Sequence, residues 1–166
     1  MATAKLTIEN KIRELILAAP APLDQLKVVI RGVAYQVPTM LYPFGQVFIT
    51  GEVTESEVTG FQKERVYSGV ASIHVMQADT LSVTNRSADV GSYTLVQDLI
   101  DQLVELLSTP ANSTLGSLIF TGGHVTQFLV GESVTEYGIA EMEARENNYE
   151  NFGTVPFLAR TLEAIP

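Results

Sequence analysis

The chain has 166 residues, no cysteine, and a formal net charge of −9 from 19 acidic and 10 basic residues. This length predicts one domain, 1–166, able to bury roughly 70% of its unfolded surface without a disulfide or metal staple. The missing thiols exclude thiolate catalysis, cysteine-based zinc sites and disulfides, and the scattered Lys and Arg argue against a protein that grips duplex phosphates.

The opening Met1-Ala2-Thr3-Ala4-Lys5 lacks the apolar core of a signal peptide. No apolar run approaches the roughly 20 residues of a membrane span, so a soluble, cytoplasmically made product is expected. A first helix is predicted over Thr7–Ala18, with Thr7 as cap and Ile8, Ile12, Leu15 and Ile16 on one face. Pro20 and Pro22 stop it. Val28-Val29-Ile30 reads as a short strand, and Ala34–Met40 is ambiguous.

Leu41-Tyr42-Pro43-Phe44-Gly45 leads into a strand over Gln46–Val53. Strict alternation places Val47, Ile49 and Val53 on one side, with Gln46, Phe48, Thr50 and Glu52 on the other. A second strand over Tyr67–Val75 sets Tyr67, Ala71, Ile73 and Val75 against Ser68, Ser72 and His74. Between them Thr54–Glu64, with Glu55, Glu57, Gly60 and Glu64, reads as a long mobile hairpin tip that exposes Phe61.

Ser92–Leu107 is the strongest element. Val96, Leu99, Ile100, Leu103, Leu106 and Leu107 form a stripe opposite Gln97, Asp98, Asp101 and Glu105. Leu95 and Val104 widen that stripe, so its flank could also meet a neighbouring subunit. Pro110 ends the helix. Val125–Val130 is a strand after the Gly122-Gly123 turn, Glu132–Met142 is β-compatible, Ala144–Asn151 reads as loop, and Val155–Leu162 is a last strand. Pro156 is expected at its start or on an edge. The sum is an α+β fold, an antiparallel or mixed β-sheet flanked by two main α-helices.

No catalytic or metal-binding constellation is written here, and no cofactor is expected. His74 and His124 are the only histidines, and nothing in the spacing brings them together with carboxylates. Glu132, Glu136, Glu141, Glu143, Glu146 and Glu150 form an acidic series without the spacing of a calcium loop. Gly122-Gly123 is a turn without the flanking residues of a phosphate loop, and no strained nucleophile turn surrounds any serine.

The order of these elements resembles the tail terminator (tail completion) proteins of long-tailed bacteriophages. Four places carry the likeness. They are the helical register Ile8 to Ile16, the Leu41-Tyr42-Pro43 lead-in, the strand Arg65–Val75 running on to the helix Ser92–Leu107, and the closing Asn147-Asn148-Tyr149 to Val155-Pro156-Phe157 segment. The likeness spans nearly the whole chain but rests on the order of elements, with no invariant motif.

It implies a non-enzymatic virion subunit, assembled in the host cytoplasm, that forms a hexameric ring in the neck, caps the tail tube and stops its polymerisation. The implied partners are copies of itself, the tail tube protein, a head-side connector or stopper protein and the tail sheath protein. DNA would pass through an acidic lumen without specific binding, and no membrane would be involved. Glu55, Glu57, Phe61, Glu64, Leu95 and Val104 are the candidate tube or subunit interface. Two alternatives stand beside this reading: another neck component, such as a head-completion or stopper protein, and a small acidic enzyme or ligand-binding domain with His74 or His124 beside carboxylates in a cleft.

Overall fold

The computed structural model describes residues 3–34, 37–77, 81–84, 86–141 and 149–165. Helix α1 spans Ala4–Leu17, starting about a turn before the predicted boundary. Ala4 extends the buried stripe of Ile8, Ile12 and Ile16, so the helix gains a turn of packing by beginning there. Thr3, not Thr7, is the cap. Its Oγ1 accepts from the Leu6 N–H at 3.3 Å, while the Thr7 hydroxyl donates to the Thr3 carbonyl at 3.0 Å.

The strands are β1 (Val28–Arg31), β2 (Phe44–Thr59), β3 (Gln62–Gln77), β4 (Leu81–Thr84) and β5 (Ser87–Val90). After helix α2 (Gly91–Ser108) come β6 (Ile119–Phe120), β7 (Gly123–Val130), β8 (Val134–Glu141) and β9 (Tyr149–Ala164). Seven strands form one mixed sheet in the order β1-β2-β3-β9-β7-β6, with β8 beside β9 at the end β7 does not reach. Only β1 with β2 is parallel; β4 and β5 form a separate hairpin. Two helices on a large mixed sheet make the fold α+β.

Both helices pack on the same face of this sheet. The α1 stripe joins Val96, Leu99, Ile100, Leu103 and Leu107 of α2 over Val47, Ala71, Ile73, Val155, Phe157 and Ala159 in one core. Each fully buried Leu, Ile or Phe there contributes about 1.5–3 kcal/mol of transfer free energy. Ser92, the expected α2 cap, lies inside the first turn. Its hydroxyl accepts from Asn151 Nδ2 at 3.1 Å, a buried bond between α2 and β9.

The hairpin between β2 and β3 differs most from its sequence reading. The stretch expected to be a mobile tip is ladder: Thr54 pairs with Arg65, Ser56 with Glu64, Glu57 with Lys63 and Thr59 with Gln62. The turn is only Gly60-Phe61. Long β3 can keep β2 in register because its other side is paired along its whole length with β9, from Gln62–Ala164 to Gln77–Tyr149. A bulge between Ile49 and Gly51 also reverses the alternation. Glu52 is thereby opposite Tyr67 on the helix face, and Val53 opposite Val66 on the helix-free face, the reverse of the predicted sides.

Pro156 sits in the middle of β9, a central strand, contrary to expectation. Its carbonyl accepts from the Gly131 N–H at 2.8 Å, so its nitrogen also faces the gap between the end of β7 and the start of β8. No bond to β3 is lost. Tyr149–Asn151, expected in a loop, belong to β9; Met142–Asn148 lie outside the described residues.

Candidate assembly surface and a histidine relay

The candidate interface residues fall in two separate places. Glu55, Glu57, Phe61 and Glu64 lie on the outer β2–β3 hairpin. Phe61, in the turn, is 83% exposed, and its carbonyl accepts from the Ile165 N–H at 2.9 Å. Glu64 accepts from Arg160 at 3.1 Å across the β3–β9 ladder. Leu95 and Val104 are on α2, partly buried against the core, so packing within the subunit takes up much of that flank.

The sheet margins are unequally protected. Along β1 to Arg31–Val47, β2 is covered. Just beyond, the Ile49 N–H donates to Glu9 Oε1 at 2.9 Å. On the other margin, Val125 N–H donates to the Leu118 carbonyl at 2.9 Å and Phe128 N–H to the Ser113 carbonyl at 2.6 Å, so a loop blunts β7. Among the described residues no strand pairs with the outer side of β2 beyond Val47, nor with the outer side of β8.

On the helix face beneath the hairpin, Glu52 bridges Lys5 at 2.9 Å and Arg65, and Arg65 also approaches Glu163 at 3.5 Å. The Lys5 hydrogen bond chiefly holds the Glu52 carboxyl below its ordinary range, against an opposing push from desolvation. Tyr67 donates to Glu163 Oε1 at 2.7 Å, and burial followed by that bond raises the phenol well above its usual value.

Nothing in the spacing brings His74 to a carboxylate, yet the fold sets it against Glu150. On the helix-free face Phe44, His74 and Phe152 stand side by side on β2, β3 and β9, with ring centroids 4.6 Å and 5.5 Å apart. His74 Nδ1 contacts Glu150 Oε1, and Nε2 lies 2.9 Å from Ser72 Oγ. Tyr42 donates to the other Glu150 oxygen at 3.3 Å. A carboxylate can only accept, so the tautomer that fits this geometry donates from Nδ1 to Glu150 and accepts the Ser72 hydroxyl at Nε2. Ser–His–Glu in this order is a proton relay suited to acyl transfer.

The surroundings do not complete such a site. Ser72 is 5% exposed in mid-strand, paired with Gln46 on one side and Thr154 on the other. Its local backbone N–H groups belong to these ladders, and Gln46 Nε2 donates to the Ala34 carbonyl at 3.3 Å, so none of these described donors is free for an oxyanion. What the relay does well is fasten β9 to β3 and to the Tyr42 lead-in.

His124 lies at the far end of the sheet, opposite Leu162 on β9, and does not join His74. Among the described residues no three His, Asp or Glu side chains cluster as a metal site. Of the acidic series, Glu132 is exposed and Glu150 belongs to the relay; Glu136 and Glu141 are placed only by their strand, and Glu143 and Glu146 lie outside the described residues. No helix among the described residues is long and apolar enough to cross a membrane. The chain matches no protein-family model and no curated protein at a significant level.

Proposed function

We propose that this chain is a structural subunit of a phage virion, a tail terminator that closes into a ring, most simply a hexamer, at the junction of tail tube and head-side connector. The observation that carries the reading is a pair of margins that no further strand covers among the described residues, β2 beyond Val47 and β8, on opposite sides of one sheet. A head-to-tail contact needs two different surfaces on each copy, and repeated rotation then closes a ring.

Two-fold pairing of β2 with another β2 is disfavoured. It would bring the strand carrying Glu52, Glu55 and Glu57 against its own copy, and like charges across a ladder repel. A neighbour's different margin is therefore the better match. The order of elements that resembles the terminators supplies the rest: a ring that stops tube growth and leaves a lumen for DNA. The helix-free face is not uniformly acidic, since Val53, Val66, Val70 and Leu158 share it with the Arg160–Glu64 pair.

Deleting Glu55–Gly60 tests the role of the hairpin. The shortened protein should stay folded on the β3–β9 ladder, with a weaker strand signal by circular dichroism, but fail to cap tubes; full capping by it refutes the placement.

A second reading, an esterase-like enzyme, has the Ser72–His74–Glu150 order in its favour. Covalent labelling of the wild type by a fluorophosphonate, lost in Ser72→Ala, would favour it over a purely structural role.

A further inference from the structure

Beside the hairpin turn, a groove of about 750 Å³ opens between the end of β9 and the β6–β7 turn. Ile119, Phe120, Val125 and Leu162 supply its apolar wall, and Gly122-Gly123 its backbone floor. Among the described residues no Asp, Glu, Lys or Arg lines it; its polar members are Gln62, Thr114, Ser117, His124 and Thr126. Gln62, next to Phe61, forms part of the rim, and Ile119 is 76% exposed. Phe61, Ile119 and the groove thus concentrate exposed apolar surface at one end of an acidic protein, the kind of patch that marks an interaction site.

The charge around that end limits what can occupy it. On the adjoining strands Glu52 is paired with Lys5 and Arg65 and Glu64 with Arg160, so the acidic balance there comes from Glu55 and Glu57 against Lys63, on a chain of net charge −9. Two copies meeting through this end would set one acidic surround against another. A partner of different sequence, with an apolar side chain amid Lys or Arg, meets both the groove and its surround.

We infer that this end, built from Phe61, Ile119 and the groove between them, is the docking site for the end subunits of the tail tube, through an apolar side chain in a basic setting. The inference rests on the terminator reading and adds to it which end of the subunit meets the tube and by what chemistry.

The test uses the full chain and tubes polymerised from the tail tube protein of the same virus, with co-sedimentation at low and high salt. Wild type should bind, less tightly as salt rises. The double variant Phe61→Ser/Ile119→Ser should keep its fold and mass but bind at least about tenfold more weakly, as for loss of a central apolar anchor. Glu57→Lys should weaken binding and flatten its salt dependence.

Undiminished binding by the double variant overturns the docking site and leaves the terminator reading standing. A fall in the variant's own mass, with tube binding intact, overturns it too, by assigning this end to contacts between copies. Wild type that forms rings but ignores tubes defeats the terminator reading itself.

Discussion

Glu9 Oε1 accepts the Ile49 backbone N–H at 2.9 Å, at the point where β1 stops covering β2. The same carboxylate takes Arg31 Nη1 on its other oxygen at 3.1 Å. One side chain of α1 thus ties the helix to two strands and satisfies a donor that would otherwise open the sheet margin. Glu9→Ala should cost about 1–3 kcal/mol, because it strands the amide and unpairs Arg31. Glu9→Gln, which can still accept, should cost less. Urea denaturation of the three proteins measures both, and a Glu9→Ala change within error of zero would show the contact to be idle.

Gly69 lies where β3 passes under Phe157. A Cβ there would press on the Phe157 ring and come within 2.7 Å of the Phe48 carbonyl oxygen. Neither backbone nor a fully packed ring can yield cheaply, so Gly69→Ala should destabilise by about 1–3 kcal/mol. Gly60→Ala in the hairpin turn meets nothing within 4 Å and serves as the control. Thermal melts should separate the two clearly.

His74 and Glu150 predict a structural loss without a catalytic one. His74→Ala removes a ring packed between Phe44 and Phe152 and takes from Glu150 one of its partners, leaving the Tyr42 hydroxyl on its other oxygen. It should lower stability by about 2–4 kcal/mol, while Ser72→Ala should cost about 1 kcal/mol. Neither wild type nor variant should react with a fluorophosphonate. Stoichiometric labelling of Ser72 would contradict the clamp role.

The ionisable groups under the hairpin fix how stability should follow pH. The Glu52 carboxyl is held low by Lys5, so its stabilising contribution is present above the ordinary carboxylate range and lost as pH falls through the lowered folded value. The Tyr67 phenol is held high by burial, so its contribution is complete below the usual tyrosine value and lost as pH rises through the raised folded one. Tyr67→Phe should shift the alkaline limb of the stability curve and leave the acid limb in place. Lys5→Met should do the reverse. Equilibrium unfolding across pH measures both limbs.

The helix α2 was legible because its core contacts recur at helical spacing, and Val96, Leu99, Ile100, Leu103 and Leu107 all face the sheet. The alternation of β3 was equally legible, with Tyr67, Ala71, Ile73 and Val75 buried. The bulge beside Thr50 was not, since nothing in the local pattern announces one extra residue, and one residue exchanges the faces of Glu52 and Val53. The hairpin tip read as loop because of its Glu residues and Gly60, which are depleted in strands; its strand state comes from pairing with β3, which β9 holds straight. The His74–Glu150 contact joins residues 76 positions apart, and only the β3–β9 register places them together. The groove beside Phe61 was hidden for the same reason, because its walls come from β9 and from the segment around β6 and β7.

Electron microscopy of the purified full chain, alone and after mixing with polymerised tail tubes, tests the central claim most directly. The account predicts annular particles with a central opening, seated at one end of each tube and halting its growth. Monomers or compact dimers in both samples, with tubes that keep elongating, would contradict it.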